Sequence, residues 1–184
     1  MFVVGISASP RKNENSEKIL KFALDEFKKR GHETKEVLLS ETKIGPCIAC
    51  GCCGEKGKCA NDEKASYVNN LLRHADGILA ITPVYFGSMS AQMKALCDKT
   101  LPLRRGGFLL KGKLGGAIAV GKSRNGGQEL TVKDIHSWML VHGMHIVGDS
   151  THFGGTVVCE FEDDSIGKES VIGIVDAFSE AREI

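Results

Sequence analysis

Between Cys47 and Cys59, thirteen residues carry five thiols, in the run Pro46-Cys47-Ile48-Ala49-Cys50-Gly51-Cys52-Cys53-Gly54-Glu55-Lys56-Gly57-Lys58-Cys59. Thiolates are soft donors, suited to iron–sulfur clusters or zinc rather than to hard cations. Cys47-x2-Cys50-x2-Cys53 wraps three of them around one side of a cubane, and the five-residue spacer containing Gly54 and Gly57 swings Cys59 to the fourth corner. Glycine suits such a loop because it tolerates positive φ and leaves backbone N–H groups close enough to bond sulfur. The spacing therefore points to one [4Fe–4S] cluster on Cys47, Cys50, Cys53 and Cys59. Cys52 is left over; it competes for the third position, where the even spacing favours Cys53. Zinc is the main rival, but it prefers two ligand pairs separated by a longer insert of about 12 to 20 residues, and that insert is missing. Free or redox-sensing thiols are the remaining alternative, one that does not require four evenly placed sulfurs. Cys97, on an expected helix, and Cys159, in a C-terminal segment, read as small core or surface residues.

A second signature follows the apolar run Phe2–Ile6. Ser7-Ala8-Ser9-Pro10-Arg11-Lys12-Asn13-Glu14-Asn15-Ser16 leads straight into a helical pattern, so hydroxyls, amides, backbone N–H groups and a guanidinium meet at a helix N-terminus. Such a place favours a phosphate. It lacks the G-x-G-x-x-G spacing that lets a backbone approach a pyrophosphate, so a single terminal phosphate fits better, and FMN is favoured over FAD or NAD. Ser9, Arg11, Asn13, Asn15 and Ser16 are the candidate contacts. A plain polar turn with Asn15 or Ser16 as N-cap explains one or two of these residues but not the set. Pro83-Val84-Tyr85-Phe86-Gly87 puts two aromatics at a strand end, where they can line a planar ring. Gly121 to Glu129 then supplies Arg124, Gly126 and Gly127, whose loop lets N–H groups reach the edges of an isoalloxazine. Two incidental surface loops are the alternative, but three such loops in order along one sheet are jointly harder to dismiss.

Two other motifs carry no chemistry. Gly116-Ala-Ile-Ala-Val-Gly121-Lys122-Ser123 matches the P-loop string, yet its central residues read as a buried strand, and Arg124-Asn125-Gly126-Gly127 continues a helix poorly. His142 and His145 flank a helix end without an acidic or thiol partner nearby in sequence, so they read as structural.

The elements that position these loops alternate along the chain. Strands are expected at Phe2–Ile6, Thr34–Leu39, Gly77–Thr82, Leu114–Val120 and His145–Gly148. Helices are expected near Ser16–Arg30, Asp62–His74, Ser90–Thr100, Glu129–His142 and Lys168–Glu183. Five strands alternating with five helices predict an α/β fold with a doubly wound five-stranded parallel sheet, in three α/β/α layers, whose ligands sit beyond the strands' carboxyl ends. With 184 residues and no internal repeat or linker, a single domain spanning 1–184 is expected, with a cysteine-rich loop at about 44–61. The net charge of +1 gives no field for nucleic acid or anionic lipid, and no apolar run approaches a signal peptide or membrane helix, so a cytoplasmic location is expected.

The chain resembles the iron–sulfur flavoproteins, a branch of the NADPH-dependent FMN reductase, flavodoxin-like superfamily. Ser9-Pro10-Arg11 through Ser16 looks like the family's phosphate loop, and Cys47, Cys50, Cys53 and Cys59 fall on its compact cysteine motif. Pro83-Val84-Tyr85-Phe86 is similar to its isoalloxazine loop, and Arg124 to Glu129 to its third loop. Ala8 stands where a glycine is common, and Cys52 is additional. The resemblance implies FMN near a cluster, a homodimer or homotetramer that brings cluster and flavin together across an interface, and ferredoxin or a similar one-electron donor. The expected function is an FMN-dependent oxidoreductase passing electrons singly through the cluster to FMN and on to a small-molecule acceptor such as a quinone, oxygen or peroxide. No catalytic residue beyond the cofactor ligands is required. The alternatives are an NAD(P)H-dependent FMN or quinone reductase without a cluster, and a zinc-stabilised flavin-binding regulator.

Overall fold

Apolar runs and amphipathic stripes become strands and helices that largely alternate along the chain. The computed structural model describes residues 1–53 and 58–181. Its elements are β1 (Phe2–Ser7), α1 (Asn15–Lys29), β2 (Glu33–Leu38), α2 (Glu63–His74), β3 (Gly77–Pro83), α3 (Ala91–Lys99), α4 (Leu101–Arg105), β4 (Leu114–Gly121), α5 (Gln128–Val141), β5 (His145–Ile146), β6 (Gly155–Val158) and α6 (Ser165–Glu180). A 3₁₀ turn occupies Phe161–Asp163. Every pairing is parallel, in the order β2-β1-β3-β4-β5, with β6 also on β4. That order reverses direction at β1, so the loops after β1 and β3 flank the switch point where such sheets bind ligands.

Successive residues of each central strand face opposite layers, which is why the strands read as continuous apolar runs. Val4, Ile6, Ile78, Ala80, Ala117 and Ala119 pack with α2, α3 and α5 through Val68, Leu72, Met93, Leu96, Ile135 and Trp138. Val3, Leu79, Ile81 and Ile118 pack with α1 and α6 through Ile19, Leu20, Phe27, Val171, Ile174 and Phe178. The second strand alone lacked such a run because β2 is an edge strand with Glu33, Lys35 and Glu36 exposed.

Most boundaries fall within one residue of expectation, and three elements differ further. The fifth strand, expected over His145–Gly148, stops at Ile146 and resumes on the same flank of β4 as β6, after an excursion over 147–154. The excursion is pinned by Asp149, 4% exposed, which accepts the His152 N–H and the Ser170 hydroxyl, both at 2.5 Å. Burial opposes charge on Asp149, but the bonds from Ser170 and His152 outweigh it and hold the carboxyl below the usual range. The helix expected over Ser90–Thr100 breaks at Lys99, and α4 restarts with Pro102 in its first turn, where a missing N–H costs nothing. The last helix begins at Ser165 rather than Lys168 because Asp164 caps it, accepting the Gly167 N–H at 2.8 Å. The residues between the glycines of the P-loop string lie inside β4. Among the described residues no helix is long and apolar enough to cross a membrane.

The α3–α4 break is stitched to α5 by one hydroxyl. Thr100 Oγ1 donates to the Cys97 carbonyl at 2.6 Å, accepts the Trp138 indole N–H at 2.9 Å, and lies 2.9 Å from His142 Nε2. Because the hydroxyl proton is committed to Cys97, His142 must carry its proton on Nε2, leaving a buried Nδ1 without a partner among the described residues. Burial, with the Arg104 charge added, pushes His142 down to about 4. An unfolded histidine titrates near 6.5, so this contribution to stability is complete above about pH 6.5 and is lost as pH falls toward 4, at most about 3 kcal/mol. His136, also lowered by burial, acts in the same direction. Urea midpoints measured from pH 7 to pH 4 should fall steeply in the native chain and less so in His142→Gln; equal slopes would contradict the assignment.

Candidate functional site

The loop after β1 is held before any ligand arrives. Ala8 N–H bonds the Ile81 carbonyl at 2.8 Å, and the Ser90 hydroxyl, which caps α3, donates to the Ala8 carbonyl at 2.7 Å. Ser9 Oγ accepts the Arg11 N–H at 3.1 Å. Asn13, at φ 55, turns the chain so that its N–H meets Glu17 Oε2 at 2.7 Å. Glu17, 2% exposed, also accepts the Ser40 hydroxyl at 2.7 Å. One buried carboxylate thus fastens the loop to both α1 and the segment after β2. At the N-terminus of α1, Glu14 makes no side-chain cap bond; its carbonyl takes the Glu17 N–H at 2.9 Å, and the Asn15 and Ser16 N–H groups are the ones presented to an incoming anion.

The loop after β3 is a tight hairpin. Tyr85 and Ser88 exchange N–H···O bonds of 2.9 and 3.2 Å around Phe86 (φ 51) and Gly87 (φ 78), the signature of a type I′ turn. The turn sets Phe86 fully in solvent and Tyr85 partly so. Ser88 donates to Asp134 on α5 at 2.6 Å, and the Val84 N–H bonds the Val120 carbonyl at 2.9 Å. The loop after β4 closes against this hairpin. Gly127 sits at φ +100, and a Cβ there would lie 2.8 Å from Gly87 Cα.

These loops enclose a cavity of about 300 Å³ lined by Ser9, Arg11, Glu14, Asn15, Ser16, Pro83, Val84, Tyr85, Val120, Gly121, Lys122, Cys159 and Glu160. Seven sequence-selected residues therefore share one wall. Asn13, Phe86, Gly87 and Gly126 belong to the same loops without lining that cavity, while Arg124 and Gly127 line a neighbouring hollow with His152 and Thr156. Asn15, read as a phosphate contact, uses its amide elsewhere: it donates to the Cys159 carbonyl at 2.6 Å and accepts the Phe161 N–H at 3.3 Å. The sequence reading missed the 159–161 segment, because the second half of the split strand that delivers it is only four residues long. Glu17 was missed as well, although a Glu three positions after the N-cap is the usual place for a carboxylate that reaches back to a loop N–H.

The cysteines after β2 converge on a second pocket, of about 120 Å³. Cys47, Cys50, Cys52, Cys53 and Cys59 line it with Asn61, Asp98, Lys99 and Arg105. All seven cysteines of the chain are free, and in the cluster Cys53 and Cys59 are less exposed than Cys47, Cys50 and Cys52. Ala49 (φ 51) and Gly51 (φ 75) fold the chain back between sulfurs. Cys59 is clamped by Ser66, whose hydroxyl accepts its N–H and donates to its carbonyl, both at 2.9 Å. The Cys52 backbone N–H, helped by Asn61 Nδ2 at 3.0 Å from Cys50 Sγ, holds the Cys50 thiol below the ordinary thiol range. Burial pushes Cys53 up, opposed by the charge of Arg105. Burial raises Cys97 far more, which makes it an inert core thiol. Among the described residues no three His, Cys, Asp or Glu side chains are grouped so as to hold a single metal ion. A cubane places its four thiolates on four separate irons, so an all-thiol donor set spread around one pocket fits a cluster better than one zinc. Gly54 and Gly57, expected to carry the chain round to Cys59, lie outside the described residues.

A parallel sheet in 2-1-3-4-5 order, with its cavities at the carboxyl edge, defines a flavodoxin-like α/β protein. The chain belongs to the iron–sulfur flavoproteins within the NADPH-dependent FMN reductase family, whose model matches residues 1–156. It is 47% identical over 171 residues to an iron–sulfur flavoprotein of Methanosarcina thermophila, covering 93% of this chain and 90% of that protein. It is 44% identical over 177 residues to one from Methanocaldococcus jannaschii, covering 92% of this chain and 91% of the relative. Among solved structures, an NADH:FMN oxidoreductase in its apo form superposes with a TM-score of 0.73 at 21% identity, over 98% of this chain and 89% of its own, which is a likeness of fold. An archaeal flavodoxin superposes at 0.66 with 12% identity over the full length of both chains.

Proposed function

We propose that this flavoprotein is a one-electron to two-electron converter. Cys47, Cys50, Cys53 and Cys59 hold one [4Fe–4S] cluster, and the loops after β1, β3 and β4 hold FMN. The observation that carries this reading is the convergence of the four thiols on one pocket, at the same edge of the sheet as a separate cavity lined by Ser9, Ser16, Val84 and Tyr85. When bound, the cluster stores single electrons and FMN releases a pair. The chain's part is to orient both. Ser9, Arg11, Ser16 and the open N–H groups of α1 take the phosphate, and Asn13 shapes that loop through Glu17. Pro83, Val84, Tyr85, Phe86 and Gly87 flank the ring, and the loop of Arg124, Gly126 and Gly127 meets its polar edge. A ferredoxin or similar donor in the cytoplasm supplies electrons to a homodimer or homotetramer, and a quinone, oxygen or peroxide removes them.

Purification without oxygen, followed by iron, sulfide, zinc and flavin analysis, tests the reading. About four iron and four sulfide per chain over a flavin spectrum are expected. Flavin bleached by NAD(P)H alone with no iron would replace it by a hydride-accepting reductase; stoichiometric zinc would replace it by a flavin-binding regulator. A second expectation concerns Glu17. In Glu17→Gln the amide can still accept the Asn13 N–H and donate to the Ser40 hydroxyl, but the charge that strengthens both bonds is gone. The FMN dissociation constant should rise about tenfold, equivalent to about 1.4 kcal/mol. Fluorescence quenching of FMN by the apoprotein reads it directly, and an unchanged constant would remove Glu17 from the site.

A further inference from the structure

Lys99 is a buried cation that lines the cysteine pocket. It ends α3 at 5% exposure, and buried ammonium groups are rare unless paired. Its Nζ lies 3.4 Å from Asp62 Oδ2 and 3.8 Å from Cys59 Sγ. Asp62 has its own task at α2, where its Oδ1 accepts the Ala65 N–H at 2.9 Å. Of the other charges lining the cysteine pocket, Asp98 is paired outward with Lys94 at 2.6 Å, while Arg105 lies close enough to Cys53 to favour its thiolate. Among the described residues Lys99 and Arg105 therefore line the pocket as cations, and the Asp62 carboxylate stands against Lys99.

We propose that Lys99 is a positioning residue that sets the reduction potential of the cluster through its N–H···S contact with Cys59, with Asp62 trimming that effect. The inference rests on the reading of Cys47, Cys50, Cys53 and Cys59 as cluster ligands. In the step concerned one electron enters from an external one-electron donor, one ferric iron becomes ferrous, no bond forms or breaks, and the cluster with its thiolates gains one unit of negative charge. A buried cation against a ligand sulfur stabilises the more negative form and so favours reduction. A neighbouring carboxylate opposes it. Lys99 and Asp62 thus act with opposite signs, which a merely structural role would not produce.

Anaerobic potentiometric titration of the full-length holoprotein, followed by visible and electron paramagnetic resonance spectra, distinguishes these roles. Lys99→Met should lower the equilibrium constant for cluster reduction about tenfold, a fall of about 59 mV for a one-electron couple. Asp62→Asn, which keeps the helix cap, should raise the potential. Lys99→Arg should stay close to the native value. Shifts of the same sign in Lys99→Met and Asp62→Asn, or equal potentials in all four proteins at full iron and sulfide, overturn the inference alone. Absence of iron and sulfide in the native protein overturns it together with the cluster reading. Should Lys99→Met fail to load, Asp62→Asn decides: a rise supports the assignment, and a fall or no change rejects it.

Discussion

Replacing Cys50 by alanine should strip iron and sulfide from the protein while leaving FMN at its native stoichiometry. Cys50 is the middle thiol of the compact motif, and its sulfur already collects the donors a thiolate needs, the Cys52 N–H and the Asn61 amide. A cubane missing one of its four protein ligands exposes an iron to solvent and to oxygen, so essentially complete loss is expected rather than a graded one. The flavin cavity shares none of its lining residues with the cysteine pocket, so the second chromophore has no reason to leave. Cys52→Ala is the companion measurement. Cys52 lines the pocket, but it is more exposed than Cys53 and its sulfur faces the Cys50 carbonyl at 3.5 Å, so this variant should keep its iron. Retention of iron in Cys50→Ala, or its loss in Cys52→Ala, would reassign the ligands.

The reciprocal experiment acts on the flavin loops. Gly127→Val places a β-branched residue at φ +100 and drives its Cβ to 2.8 Å from Gly87 Cα and 3.6 Å from Val84 Cγ1. The left-handed backbone alone costs about 1–2 kcal/mol for a residue with a Cβ, and more for a branched one. Relief of the clash requires the hairpin at Phe86 and the loop before α5 to move apart, which opens the space meant for a planar ring. FMN affinity should fall about 100-fold, equivalent to about 2.8 kcal/mol, while iron and sulfide stay at the native level. Titrating the apoprotein with FMN measures the loss; native affinity would show that the two loops do not jointly form the ring site.

Local chemistry accounts for what the sequence made readable. Central strands buried on both faces announce themselves as apolar runs, so β1, β3 and β4 were legible to within a residue or so. Five sulfurs in one loop, and a polar turn running from a strand into a helix, are equally local. What escaped was the part of each site made by distant segments. Cys159 and Glu160 reach the cavity beside the loop after β1 only because the strand at the fifth position is interrupted, whereas the expected strand ran unbroken to Gly148. Lys99 reads as an ordinary last-turn helix cation, and nothing in its neighbours predicts that α2 will bury it beside Cys59. Asn15 lines the cavity, yet sequence cannot reveal that the backbone of residues 159–161 takes its amide.

The interrupted fifth strand and the charged second one together govern how this molecule meets its neighbours. An unprotected sheet edge is a template on which another chain can add a strand, and in a crowded solution that invites aggregation. Here one border offers Glu33, Lys35 and Glu36 to solvent, and the other is only two residues long before the chain bends away and returns as β6. Neither border supports a continuous ladder between copies. The surfaces left open to a neighbouring molecule are the helices and the carboxyl-edge loops, the latter at the same end of the molecule as the thiols and the hairpin after β3.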